Sequence, residues 1–311
     1  MNNKPLRIVE HLDYDEFVRD HLKTNTPVII KGAVSHWPAI SKWNIDYLKD
    51  TIGNNTFSLK RHYAGDKEWH MNEFFADIES GKSDRYLTNG NIADFFPQLI
   101  KDLEPYSPYG LPDWKCNHFL PDTMHYDNYQ VELLAGNAGT GFFLHYDRGH
   151  INAFVAQIVG QKRVALLPPS SSQYLDPTKN VSKVDIWSLL ENNDPLLEKL
   201  NAKFYTLEPG DMVFTPSDWW HTTKNESLSF GVTFNSVHQY NWSAFSKYVS
   251  ESKAERSGKL KSLALRMFLF TIGGCNVLKE MIGGTKQSQK GLEKAWSQRY
   301  QPPQSHSDKT Q

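Results

Sequence analysis

The stretch Gly139-Thr140-Gly141-Phe142-Phe143-Leu144-His145-Tyr146-Asp147 runs apolar and then ends in His-x-Asp. Side chains two apart on an extended strand share a face, so His145 and Asp147 can reach one cation together. A second histidine from elsewhere would complete a two-histidine, one-carboxylate face and leave three coordination positions open. His221 is the natural partner. It follows the turn Pro209-Gly210-Asp211, the segment Met212-Val213-Phe214-Thr215 and then Ser217-Asp218-Trp219-Trp220. The tripeptide alone carries little weight, because His-Tyr-Asp also occurs at 125–127 with no strand leading into it. At 145–147, by contrast, apolar segments enter and leave, and a turn delivers the distant histidine.

Around this stretch short β-type runs alternate with turns. They fall at 131–135, 153–159, 163–167, 212–215 and 229–234, separated by Gly136-Asn137, Gly160-Gln161, Pro168-Pro169 and Pro209-Gly210-Asp211. Strands at that spacing predict a jelly roll or barrel, with 182–200 as a helical or loop insertion. Upstream, the pattern predicts a helix over 8–24, a strand at Pro27-Val28-Ile29-Ile30-Lys31-Gly32 and a helix over 45–52. A strand over 56–65 and a short helix over 71–80 follow. Helical patterning resumes after 241 and lasts to about 300, and the polar segment 301–311 is expected to be a disordered tail. The expected fold is mainly β with flanking helices, built on a double-stranded β-helix over 1–240 with a C-terminal helical element over 241–300.

Composition narrows the options. A chain of 311 residues, 39% hydrophobic and 13% aromatic, can bury a full core and favours β structure. The 34 Lys and Arg against 35 Asp and Glu leave no electrostatic footprint for nucleic acid. Cys116 and Cys275 form no CxxC pair, which suits a reducing cytoplasm. Residues 1–17 show no signal-peptide core. The most apolar segment, 263–282, contains Arg266, Lys279, Glu280 and the interrupting Gly273-Gly274. A buried or partner-facing helix pair is expected there, not a membrane span.

Four segments resemble the cupin-like JmjC oxygenases, the group that includes the asparaginyl hydroxylase acting on hypoxia-inducible factor. They are Pro27 to Gly32 with the Trp37-Pro38 after it; His145-Tyr146-Asp147; Gln157-Ile158-Val159-Gly160-Gln161-Lys162-Arg163-Val164 with Pro168-Pro169; and Pro209-Gly210-Asp211 through Trp219-Trp220-His221. Their order and spacing match over roughly residues 8–240. The resemblance implies a double-stranded β-helix using Fe(II), 2-oxoglutarate as cosubstrate and molecular oxygen.

The resemblance also implies a cosubstrate shell. Lys162 takes the place of the lysine that binds the distal carboxylate, a role that suits a fixed cation. Arg163 should point the opposite way along the strand. Tyr86 matches a tyrosine reaching the same carboxylate, and Asn235 an asparagine near the metal. Two positions depart from the pattern. Where the family often has Thr, three residues before the first metal histidine, this chain has Phe142; Thr140 stands two residues upstream, and a bulge would decide which lines the pocket. The loop Arg148-Gly149-His150-Ile151-Asn152 is longer than usual, making Asn152 the match for the family's asparagine.

Trp219 and Trp220 are expected to pack behind the metal strand. His118, His125 and His150 fall in loops, Arg148 could read a substrate carboxylate, and 122–129 could face the substrate. The implied activity is a dioxygenase hydroxylating a protein or peptide side chain, or an amino-acid-like small molecule. The alternatives are a metal-dependent cupin enzyme that does not use 2-oxoglutarate, and an RNA or nucleoside hydroxylase, which the near-neutral charge disfavours. A homodimer through the C-terminal helices is also implied. Substrate selection is expected from 61–128 and 170–203.

Overall fold

In the computed structural model, residues 5–58, 68–81, 83–116 and 131–283 are described. The strands are β1 (Arg7–Val9), β2 (Val28–Ile30), β3 (Thr56–Phe57), β4 (Trp69–His70), β5 (Tyr86–Asn91), β6 (Glu132–Gly136), β7 (Gly141–His145), β8 (Asn152–Val159), β9 (Lys162–Leu167), β10 (Lys203–Leu207), β11 (Met212–Thr215), β12 (Trp220–Asn225) and β13 (Ser229–Ser236). One sheet has the order β1-β2-β11-β8-β13-β6-β5 and a second the order β10-β9-β12-β7. Apart from the parallel β1–β2 pair, their ladders are antiparallel. This is the jelly roll expected from the spacing of the strands.

Alternation along the strands builds the layers. Ile29, Val155 and Val213 of the larger sheet meet Val164, Leu166 and Leu207 of the smaller one in the barrel interior. Their neighbours Ile30, Phe154 and Phe214 face outward into the main core. The helices α1 (Tyr14–Phe17), α2 (Ala39–Lys42), α3 (Ile45–Ile52), α4 (Met71–Glu79) and α5 (Ile92–Phe95) cover that outer face through Phe17, Leu48, Ile52, Phe74 and Phe75. On α3 the Asn44 side chain accepts from the Tyr47 N–H at 2.8 Å, and Leu48 and Ile52 are the i, i+4 pair it buries. Helices α6 (Ile186–Glu191) and α7 (Leu196–Leu200) seal the outer face of the smaller sheet against Ala165, Leu167 and Trp220.

The turn that delivers β11 is held by a buried carboxylate. Asp211 accepts the N–H of Gly32 at 3.1 Å and of Glu208 at 3.2 Å, tying the end of β2 to the β10–β11 turn. Asp211→Ala is expected to lower stability by about 1–3 kcal/mol by stranding those donors. Urea denaturation checks this, and an unchanged midpoint would contradict it.

Two sequence expectations change, and a third is tested only in part. The segment 8–24 is not one helix: Arg7–Val9 pairs in parallel with β2, and helical structure starts at Tyr14, where Asp13 caps Asp15. Sheet pairing there outweighs the loose helical face. Of the strand expected over 56–65 only Thr56–Phe57 is seen, since 59–67 lie outside the described residues. The Gly273-Gly274 pair does not break its helix. Helices α8 (Trp242–Ser257) and α9 (Lys259–Gly283) meet at Gly258, which has φ +87°, and α9 runs on through both glycines. Gly273 is needed because a Cβ there would stand 2.4 Å from Trp242 Nε1. The expected tail at 301–311 and the loop 122–129, with His118 and His125, lie outside the described residues.

Candidate metal and cosubstrate site

β7 and β12 are antiparallel neighbours, and their register sets His145 opposite His221. The rings stand 4.2 Å apart at 52°. His145 Nε2 lies 3.5 Å from Asp147 Oδ1, and His221 Nε2 lies 3.9 Å from Asp147 Oδ2. One ligand atom from each residue falls within 4.8 Å of the others.

Backbone carbonyls fix the tautomers. His145 Nδ1–H donates to Phe143 O at 2.9 Å, and His221 Nδ1–H donates to Trp219 O at 3.0 Å. Both Nε2 atoms are thus left as lone-pair donors aimed at the carboxylate. Burial, reinforced by the neighbouring His145, pushes the His221 pKa down to about 4, so the ring is neutral. For Asp147 burial works upward, but contact with His145 and the neighbouring His221 and Lys115 outweigh it and hold the carboxyl below its ordinary value. Two imidazoles presenting Nε2 and a carboxylate suit a first-row divalent metal.

The ladder between β7 and β12 slips at one point. His221 faces His145, but Thr223 faces Phe142, so β7 spends three residues where β12 spends two. This bulge turns Phe142 onto the face of His145. Phe142 and Thr223 both line the cavity. Gly141 permits the close approach, since a Cβ there would stand 2.0 Å from Thr223 O. Thr140 sits one layer back: its Oγ1 donates to Asn137 O at 2.6 Å and accepts from Asn225 Nδ2 at 3.1 Å.

Lys162, opposite Asn225 in the β9–β12 ladder, is fully buried; it is not among the cavity-lining residues and reaches the wall through Tyr86. Its Nζ donates to Asn225 Oδ1 and, at 3.3 Å, to Tyr86 Oη. Neither partner is charged, and burial pushes its pKa from 10.5 down to about 7. Burial likewise raises the Tyr86 phenol, against a hydrogen bond with Thr223. A buried amine with only neutral partners fits an incoming carboxylate. Tyr86 and Asn235 line a cavity of about 590 Å³ that also takes in the three metal-site residues.

Residues 14–248 match the family described as cupin-like domain. The chain belongs to the cupin-like domain family. Lysine-specific demethylase 8 of Xenopus tropicalis is 30% identical over 234 residues, 70% of this chain and 50% of that protein. Jumonji C domain-containing protein 5 of Drosophila melanogaster is 29% identical over 239 residues, covering 71% and 57% of the two chains. The bifunctional arginine demethylase and lysyl-hydroxylase psr-1 of Caenorhabditis briggsae is 25% identical over 243 residues, or 72% and 59%. The match thus spans between half and three fifths of these relatives' length. The JmjC kinship expected from the motifs holds.

Other residues of this cupin-like site fall less uniformly. Asn152 accepts from the Ser217 N–H at 3.1 Å and is not among the cavity-lining residues, because its side chain is committed to that turn. His150 is also absent from the lining and bonds to Asp218. Arg148 is at the wall, with its Nε donating to Asn180 Oδ1 at 2.9 Å. Arg163 points away from the interior and pairs with Glu226 at 3.0 Å. Trp219 and Trp220 pack as expected, their indoles donating to Asn25 O and Ser172 Oγ.

Three contributors escaped the sequence reading. Thr223 and Asn225 follow His221 at a period of two, a signal that was present on β12. Lys115 had none: it sits in a short 3₁₀ turn, buried 3.5 Å from Asp113, and donates to Asn235 Oδ1 at the cavity wall. Helix α8 adds Phe245, Tyr248 and Val249 to the wall. That part of the pocket lies outside both segments expected to select substrate.

Proposed function

We propose that this chain is an Fe(II)- and 2-oxoglutarate-dependent oxygenase that hydroxylates a protein or peptide side chain, or an amino-acid-like small molecule. One observation carries the reading: the metal-ligating triad faces the same cavity as Tyr86, whose Oη accepts a hydrogen bond from the buried Lys162. His145, Asp147 and His221 would hold the metal. Lys162 and Tyr86, backed by Asn225 and Thr140, would hold the distal carboxylate. When bound, iron, 2-oxoglutarate and oxygen supply the oxidation that places one oxygen atom in a C–H bond, with succinate and carbon dioxide as coproducts.

The chain's own contribution is positional. Backbone carbonyls hold both imidazoles with Nε2 presented, and Lys162 fixes the orientation of the cosubstrate. Phe142, Phe234 and Phe245 keep the inner walls apolar. The relatives named as demethylases and a lysyl-hydroxylase support a peptide side chain as the substrate. Incubating the protein with Fe(II), 2-oxoglutarate and a peptide library, followed by mass spectrometry, tests this. Products 16 Da heavier with matching succinate are expected for one added oxygen atom, about 16 Da. Succinate-free turnover would contradict the reading.

Among the described residues no helix is long and apolar enough to cross a membrane. The exposed free Cys275 supports a reducing compartment such as the cytoplasm. Helix α9 leaves Leu263, Met267 and Phe270 exposed by 56%, 65% and 81%, which supports a homodimer through this helix. Sedimentation is expected to show a dimer that Leu263→Glu with Phe270→Glu makes monomeric. A monomeric native protein would sink the idea.

A further inference from the structure

Three residues after Asp147 and three before His221, two residues with the same uncommon backbone conformation face each other. His150 has φ +55° and Asp218 φ +65°, in the left-handed region that a residue with a Cβ occupies at an energetic cost. The His150 Nδ1–H donates to Asp218 Oδ1 at 2.8 Å and Oδ2 at 3.0 Å. The link joins the loop leaving β7, which carries Asp147, to the loop entering β12; the strands at the other ends of these loops carry His145 and His221. Asn152 and the Ser217 N–H, 3.1 Å apart, tie the same loops a second time.

The pair is also held from α8 and the residue preceding it. Asn241 Nδ2 donates to His150 O at 2.8 Å, and the Tyr248 ring meets the His150 ring edge-on at 6.4 Å. That helix places Phe245 and Tyr248 in the cavity wall, whereas neither His150 nor Asp218 lines the cavity. Strain held at matched offsets from two ligands, and bridged by a bidentate contact, costs stability unless it holds something in place.

We propose that the His150–Asp218 pair is a positioning clasp, which fixes the loop carrying Asp147 against the loop leading into His221 and so sets how tightly the metal is bound. The clasp rests on the metal reading given above. The charged groups facing His150 are Asp218 across the loop and Lys247 and Glu251 on α8. The hydrogen bond with Asp218 raises the imidazole above its ordinary range, with burial opposing, Lys247 lowering it and Glu251 raising it further. The charge assistance thus extends to higher pH than for an ordinary imidazole and is lost as pH rises through the raised value.

Mn(II) affinity measured by electron paramagnetic resonance, beside metal-free melting curves, tests the clasp. Asp218→Gly deletes the carboxylate and also relieves the strained backbone. It is expected to weaken Mn(II) binding roughly tenfold, as loss of a group that orients metal ligands does, without a matching fall in melting temperature. His150→Asn is expected to do the same, and the double variant to lose no more than either single one. Asp218→Asn, which keeps an acceptor without the charge, should fall in between. The native advantage over Asp218→Gly should shrink with rising pH. Native protein that takes up no Mn(II) would overturn the metal reading and the clasp with it. Native binding with undiminished affinity in Asp218→Gly, or additive losses in the double variant, would overturn the clasp alone.

Discussion

Asp147→Ala is expected to abolish divalent-metal binding while leaving the fold intact. The carboxylate is the one anionic member of the triad, and its oxygens lie 3.5 Å from His145 Nε2 and 3.9 Å from His221 Nε2. Without it only two imidazoles remain, a donor pair with no negative charge to offset that of a divalent ion. Neither histidine depends on Asp147 for its orientation, because both rings are held through Nδ1 by backbone carbonyls. The variant should therefore melt close to the native protein measured without metal, and should lose the rise in melting temperature that Mn(II) gives the native chain. A variant that still gains stability from Mn(II) would place the metal elsewhere.

The second large effect is expected at Lys162. Lys162→Met keeps the length and apolar bulk of the side chain and removes the ammonium. Loss of a charge-assisted contact should weaken 2-oxoglutarate binding by about 1.5–3 kcal/mol, roughly 10- to 100-fold. The sign of the stability change is opposite. In the ligand-free protein the amine is fully buried among neutral partners, so methionine there is expected to hold or raise the melting temperature.

The pH dependence follows from the same burial. The folded value of Lys162 is about 7, below its ordinary 10.5, so between these values the unfolded chain binds more protons. Stability of the ligand-free protein contributed by this group therefore rises with pH across that window. A carboxylate needs the charged amine, so cosubstrate binding takes up a proton above that lower value. Affinity should fall by up to about tenfold per pH unit there, and Lys162→Met should lose that dependence. Isothermal titration in buffers of different ionisation heat reads the proton directly. An equal pH slope in both proteins would contradict the assignment.

Much of this site was legible before any fold was drawn, because period-two patterning is local. His145 and Asp147 declare their shared face within three residues, and Lys162 and Arg163 declare opposite faces within two. The rest depends on pairing. Phe142 replaces Thr140 at the cavity only because β7 carries an extra residue against β12, and that bulge depends on how closely Gly141 can approach Thr223. The family resemblance implied Asn152 as a cosubstrate residue, but its amide oxygen accepts the Ser217 N–H, 65 residues away. Lys115 and the α8 wall reach the cavity through tertiary packing alone, with no periodicity to announce them. Arg7–Val9 lacked the length to declare itself a strand, and it becomes one through Val28–Ile30.

The central claim is that one cavity holds both a metal and a dicarboxylate. Anaerobic titration of the native protein with Fe(II) and 2-oxoglutarate tests it most directly. A weak visible charge-transfer band that requires both additions, saturates with cosubstrate and vanishes in Asp147→Ala is the expected result. Absence of the band in native protein, or a band that survives in Asp147→Ala, would contradict the account.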